Sequence, residues 1–147
     1  MDEAFIKKVQ PNSPEAEQSV IGAMIMDRDA IADVIDIVNA DDFYQKQNGI
    51  LFEAMTELYR EGKPVDLVTL QNRLREKDVP PEVSSLDFVR DIMTSVPTSV
   101  NVKSYANIVR EKAVLRRLIK VNEEIENLCY GGRDKLEDIL ARGPGHE

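Results

Sequence analysis

The only Gly-Lys pair in the chain, Gly62-Lys63, is the first place to look for phosphate chemistry. A nucleotide-binding P-loop sets two glycines around four residues, then Lys and Ser/Thr, so that backbone N–H groups cradle the phosphates. Here Glu57 stands at the first glycine's position and Pro64 at that of Ser/Thr. Gly62 followed by Pro64 reads instead as the end of a helix. The pairs Asp27/Asp29 and Asp41/Asp42 have the residue type for a hard cation or for acid–base catalysis. They stand where helices are expected to begin, and Asp is the expected cap there. A single cysteine, Cys129, and a single histidine, His146, leave no zinc ligand set, no internal disulfide and no nucleophile–His triad. Glu123, Glu124 and Glu126 near Cys129 deny it the electropositive setting of a reactive thiol, so it reads as a small apolar packing residue. The sequence therefore assigns no catalytic, cofactor-binding or metal-binding residue.

One segment makes a binding claim. Between residues 103 and 120, six basic residues (Lys103, Arg110, Lys112, Arg116, Arg117, Lys120) face one acid, Glu111. Residues 1–99 hold ten basic residues against nineteen acidic ones, within a chain of net charge −8 and pI about 4.8. Such a chain repels the phosphate backbone, and single-strand readers interleave aromatics with their basic residues. Here only Tyr105 is available, so DNA binding by this chain is expected to be weak or absent. Arg110, Lys112, Arg116, Arg117 and Lys120 are better suited to docking an acidic protein partner than to nucleic acid. In the same segment Ile108, Leu115, Leu118, Ile125 and Cys129 recur at spacings of three, four or their sum, seven, interrupted by Glu111 and Asn122. That pattern suits a helix that packs on partner helices in a chosen register. Ile108, Leu115, Leu118, Asn122 and Ile125 form the candidate self-association seam, and packing inside a helical hairpin would use the same stripe.

The elements that would carry these residues are helical throughout, so the expected fold is all-α: a compact multi-helix head followed by an extended helical hairpin. Ser13-Pro14-Glu15 combines an N-cap, a first-turn proline and an acid, and the run Val20–Met26 has no polar face and is expected to be central. Asp27 or Asp29 is positioned to cap a second helix carrying Ile31, Val34, Ile35 and Val38. After a turn at Asp41–Tyr44, a third helix is expected from Gln45 to Glu61, with Leu51, Ala54, Met55 and Leu58 inward. Asp66 caps a fourth with Leu67, Leu70 and Leu74. Pro80-Pro81 is a hard break, and Ser84 or Ser85 starts a fifth with Val89, Ile92, Met93 and Val96, closed by Val96-Pro97-Thr98. From Val100 to Tyr130 neither Pro nor Gly occurs, which predicts one helix of roughly 45 Å at about 1.5 Å per residue. Gly131-Gly132 then turns the chain into a helix over Arg133–Ala141. The expected divisions are an arm at 1–12, a head at 13–99, a hairpin at 100–141 and a disordered tail at 142–147. No apolar run is long enough to span a bilayer and no signal peptide is visible, which predicts a cytoplasmic protein.

Several segments resemble the start of bacterial replicative helicases of the DnaB family. They are Glu15-Ala16-Glu17-Gln18-Ser19-Val20-Ile21-Gly22-Ala23, Asp42-Phe43-Tyr44, Ile50-Leu51-Phe52-Glu53-Ala54-Met55, Gly62-Lys63-Pro64-Val65-Asp66-Leu67-Val68-Thr69, Val96-Pro97-Thr98, Tyr105-Ala106-Asn107-Ile108-Val109-Arg110-Glu111-Lys112 and Leu115-Arg116-Arg117-Leu118-Ile119. Their order and spacing over residues 11–140 carry the likeness. Three departures stand out: Asn48 where the family often has His, Ser84-Ser85 where Gly-Gly is common, and a tail that breaks after Leu140 where the family continues its hairpin into a linker helix. The resemblance implies a non-catalytic N-terminal domain that pairs with itself, forms a collar on a hexameric motor and docks primase and, in some systems, the helicase loader. ATP and Mg would belong to the motor domain, which the resemblance places outside this chain. The alternative is a free-standing helical adaptor, which a gene ending at residue 147 would favour. An acidic nuclease lacks the convergent acid cluster it would need.

Overall fold

Ser13 opens the first helix as its residue type demands. In the computed structural model, which describes residues 9–84, 86–94 and 101–142, its hydroxyl accepts the Ala16 amide at 3.2 Å. Helix α1 runs Pro14–Met26 and is enclosed on most sides, with Val20, Ile21 and Met24 sealed from solvent. Asp27 ends α1 and begins α2 (Arg28–Ile35): its amide donates to the Ala23 carbonyl, and its carboxylate accepts the Asp29 amide at 2.9 Å. A 3-10 turn at Ala40–Asp42 leads to α3 (Lys46–Arg60), which turns Leu51, Phe52, Ala54, Met55 and Leu58 inward. Asp66 and Thr69 exchange reciprocal bonds at 2.9 Å to cap α4 (Leu67–Glu76), whose Leu70 and Leu74 are sealed.

The proline pair acts differently from a simple break. Pro81 opens a short helix, α5 (Pro81–Ser84), where its missing N–H costs nothing and its fixed φ suits the first turn. The helix expected from Ser84 or Ser85 is α6 (Leu86–Thr94), and Val89 on it is sealed. The expected inward side chains of Ile92 and Met93, and Val96 with the closing Val96-Pro97-Thr98, lie outside the described residues, as do the arm before Val9 and the tail after Arg142. Helix α7 is the long one, Val102–Gly131, thirty residues without interruption. Helix α8 covers Leu136–Ala141, starting later than the expected Arg133. Gly132 is left-handed at φ +64, and the chain re-enters a helix only where Glu137 and Asp138 supply first-turn acids.

The fold is all-α. It comprises two compact units, residues 12–111 and residues 112–147 with the first eleven. The first has one continuous core, built from α1, α2, α3 and α4 with Val89, Val102, Ala106 and Val109. In the second, Ile139 is buried and the Arg116 guanidinium donates to the Pro11 carbonyl at 2.8 Å.

On the outside of the core, α3 and α4 are clamped by charge. The Arg73 guanidinium meets both Glu61 oxygens at 2.8 Å and Glu57 at 3.1 Å, while the Lys77 ammonium reaches Glu57 at 2.6 Å. The hydrogen bonds from Arg73 and Lys63 pull the Glu61 carboxyl from its ordinary 4.5 to about 2. For Glu57, burial pushes the carboxyl up, but the bonds from Lys77 and Arg73 outweigh it and hold it below its ordinary value. A depressed carboxylate stabilises the fold above its unfolded pKa and loses that contribution as pH falls through the folded one. The urea midpoint is therefore expected to drop as pH falls from about 4.5 toward about 2, and Arg73→Met is expected to flatten that drop. Solvent keeps the effect modest, because exposed pairs are weakly coupled.

Candidate functional site

The Gly62-Lys63 amides are already used. Gly62 is left-handed at φ +73, its N–H donates to the Tyr59 carbonyl, and the Lys63 N–H donates to the Leu58 carbonyl. These bonds close the end of α3 and leave neither amide to cradle a phosphate. Arg28 fixes the turn from outside, donating to the Lys63 and Tyr59 carbonyls and lying 4.8 Å over the Tyr59 ring. The acidic pairs are accounted for locally: Asp27 caps α2, and the Asp42 carboxylate accepts the Asn39 amide at 2.9 Å. Among the described residues no group of three or more His, Cys, Asp or Glu could hold a metal ion. No described helix is long and apolar enough to cross a membrane. His146 lies outside the described residues.

Helix α7 carries both surfaces read from the sequence. Through residue 113 its inward stripe is Val102, Ala106, Val109 and Ala113, all buried and spaced four, three and four. Extending that register by three and four places Arg116 and Lys120 next, so the stripe changes from apolar to basic as α7 passes into the second unit. Of the basic residues, Arg110, Arg117 and Lys120 are exposed, while Lys112 and Arg116 are half-buried. Arg116 is engaged with the arm through Pro11.

The seam residues lie off the buried stripe. Ile108 belongs to the first unit and packs partly against its core. Leu115, Leu118, Asn122 and Ile125 belong to the second: Leu115 is 44% exposed, Leu118 and Ile125 are half-buried, and Asn122 is exposed. Val114, Tyr130, Leu136 and Leu140 add exposed apolar surface to this unit. Cys129 is free and exposed, which corrects its reading as a packing residue. Beyond Ala113 no residue of α7 is buried, so helical spacing there marks a stripe without a cover.

The sequence reading missed a buried carboxylate. Glu17 on α1 is 2% exposed and accepts three hydrogen bonds: from the Tyr44 amide at 2.8 Å, the Gln45 amide at 3.2 Å and the Asn48 carboxamide at 3.0 Å. Gln45, the N-cap residue of α3, makes no side-chain cap of its own. Glu17 therefore does for α3, from another helix, what a local Ser or Asp would do. Two signals pointed to it. Glu17 lies three and four residues before Val20 and Ile21, on the buried face of α1, and the start of α3 lacks a good capping residue.

Comparison with known proteins matches this arrangement to a family. The model of the DnaB-like helicase N terminal domain matches residues 9–111, ending where the first compact unit ends. The chain is 37% identical over 141 residues to the replicative DNA helicase DnaC of Bacillus subtilis, and 38% identical over 133 residues to the replicative DNA helicase DnaB of Pasteurella multocida. These alignments cover 96% and 90% of this chain but 31% and 28% of those relatives, so the chain spans about a third of their length. The crystal structure of the N-terminal domain of DnaB helicase from Mycobacterium tuberculosis superposes with a TM-score of 0.85 at 32% identity, covering 91% of this chain and 94% of that one. The corresponding domain from Helicobacter pylori, studied with its interactions with primase, shares the fold at a TM-score of 0.70 and 20% identity, covering 88% of this chain and 99% of that one. The matched part is the non-motor part of the helicase. On the family model, the relatives and the fold together, this chain belongs to the DnaB-like helicase N-terminal domain family.

Proposed function

We propose that this chain is the assembly and docking domain of a replicative DNA helicase: it pairs through the second half of α7, contributes to a hexameric collar, and receives primase. The observation that carries the proposal is the half-exposed apolar seam of Leu115, Leu118 and Ile125, with further exposed apolar residues in the same unit. Apolar surface gathered on one element marks an interaction site more often than scattered exposed leucines do. A second copy of the chain is the natural cover, because the polar Asn122 within the seam would set a register between like helices. The primase interaction of the Helicobacter pylori domain supports primase as the heterologous partner, and a helicase loader is a further candidate. Arg110, Lys112, Arg117 and Lys120 are the basic residues proposed to meet an acidic partner surface; Arg116 would do so while holding Pro11. ATP hydrolysis and unwinding would belong to the two thirds of the helicase relatives that this chain does not match, and DNA binding by this domain alone is expected to be weak.

Leu118→Glu tests the seam. Burying an unpaired carboxylate in an apolar contact costs several kcal/mol, so dimer affinity should fall at least about 100-fold. In analytical ultracentrifugation the parent chain should sediment as a dimer and Leu118→Glu as a monomer at the same concentration. Far-ultraviolet circular dichroism should stay helical, because the core of residues 12–111 does not use Leu118. A monomeric parent at high concentration, or a Leu118→Glu chain that unfolds outright, would refute self-association through this seam.

A further inference from the structure

Arg116 differs from its neighbouring cations in being held by the N-terminal arm. Its Nη1 donates to the Pro11 carbonyl at 2.8 Å, across 105 residues of sequence, and the contact is partly buried. Arm and cation lie in the same compact unit, residues 1–11 with 112–147. Lys112, Arg116 and Lys120 recur every fourth residue, so they share one face of α7 and stand about 6 Å apart along its axis. Arg117 adds a fourth cation, and residues 112–120 contain no acid. The acidic excess of the chain lies outside this segment, and at about 0.1 M salt exposed charges are screened beyond roughly 10 Å. A row of long cationic side chains is a poor docking surface while it is loose, because each side chain loses rotamer freedom when a partner fixes it. The Pro11 carbonyl lowers that loss at the centre of the row. It is a neutral acceptor, so it orients the guanidinium without cancelling its charge. A guanidinium carries five donors in a planar fork, so one carbonyl does not exhaust it.

We infer that the N-terminal arm is a positioning element of the basic face of α7: through the Pro11 carbonyl it holds Arg116 oriented, between Lys112 and Lys120, for the carboxylates of an acidic polypeptide segment. The inference rests on the reading of this face as a docking surface for an acidic partner. Arg116 meets the partner's carboxylate, and Pro11 acts only through Arg116. The matching acids recur at about 6 Å, the step of every fourth residue along a helix. Arg suits the central position better than Lys, because its planar fork can hold a backbone carbonyl and a carboxylate together.

The probe is a fluorescein-labelled peptide of three Glu-Ala-Ala-Ala repeats with an amidated C-terminus, and its control carries Gln in place of Glu. Fluorescence anisotropy at about 0.1 M salt follows its binding to the whole chain, to the chain lacking residues 1–11, to Arg116→Gln and to the combination of the two changes. The whole chain should bind the Glu peptide at least about tenfold more tightly than the Gln peptide. Arg116→Gln should weaken binding of the Glu peptide about tenfold, and loss of the arm about threefold. Removing the arm from Arg116→Gln should cost nothing further, whereas an arm that merely supports the fold would cost the same factor in both backgrounds. The shortened chain keeps Ser13 and its cap on α1, so its circular dichroism should stay helical. A second measurement needs no shortened chain. In the whole chain labelled with nitrogen-15, the Gln10 and Asn12 amides, which flank Pro11, should shift as the Glu peptide saturates, and in Arg116→Gln they should not. Equal loss in both backgrounds, tighter binding without the arm, or unmoved Gln10 and Asn12 amides would overturn the inference and leave the docking face standing. No binding of the Glu peptide by the whole chain at millimolar concentration would overturn both.

Discussion

Glu17→Ala is expected to lower the stability of the chain by about 3–4 kcal/mol, a loss of roughly 12–15 °C in Tm. The substitution removes one side chain and strands three donors: the amides of Tyr44 and Gln45 and the carboxamide of Asn48. Hydrogen bonds to an ionised carboxylate are worth about 1.5–3 kcal/mol each, and they are not additive here because the donors share one acceptor. Glu17 and Asn48 are both nearly sealed, so water has little access to replace the lost oxygens. Glu17→Gln keeps one acceptor oxygen but turns an NH2 group toward donors, so it should fall between the parent and Glu17→Ala. The damage should begin at the first turn of α3. Hydrogen exchange at Gln47, Asn48 and Gly49 is expected to speed up before that of α1. A loss of under about 1 kcal/mol in thermal or urea denaturation would mean that α3 is ordered by its core contacts alone.

Gly49→Ala is the second large effect, and its sign opposes helix propensity. In an open helix Ala is better than Gly by about 1 kcal/mol. At Gly49 a Cβ would lie 2.7 Å from the Ala40 carbonyl oxygen, far inside van der Waals contact. That oxygen is backbone, and it accepts the Phe43 amide at 3.3 Å, so it cannot swing aside without loosening the 3-10 turn. Overpacking of this kind costs typically about 1–3 kcal/mol and more against fixed backbone, so a net loss of about 2 kcal/mol is expected. Gly131→Ala is the control. It sits at the end of α7, where an added Cβ would meet nothing within 4 Å, and it should stabilise slightly or leave the chain unchanged. Urea midpoints of the two variants should move in opposite directions. If Gly49→Ala raises the midpoint, the close approach of α3 to the 3-10 turn is softer than its geometry indicates.

The two residues show where reading the chain alone stops. Helix starts and stops were legible because they depend on neighbours three and four residues away. Ser13, Asp27 and Asp66 cap as their residue types require, and Gly62 turns left-handed where a helix must end. The inward faces of α1, α3 and α4 were legible for the same reason, since helical periodicity places Val20, Leu51 and Leu70 on buried stripes. The absence of a P-loop was legible because that motif is local. Pro81 was misjudged in degree: a proline pair reads as a stop, yet the second proline is well suited to open a helix.

What the amino-acid sequence determined by itself was thus the order of helices, their caps and their apolar faces, and through these the family resemblance. Tertiary structure alone decided which orphan groups meet across the chain. Glu17 reaches residues 27, 28 and 31 positions away, and no local rule pairs a first-turn acid of one helix with the first turn of another. The Arg73 and Lys77 clamp on α3, and the closeness of Gly49 to Ala40, are likewise products of packing. On α7 the division is sharpest. Spacing marked the stripe from Ile108 to Cys129, but the fold shows that a different set, Val102, Ala106, Val109 and Ala113, is covered while Leu115 is left open. Periodicity measures which residues share a face; what lies against that face depends on chain segments far away in sequence or on another molecule.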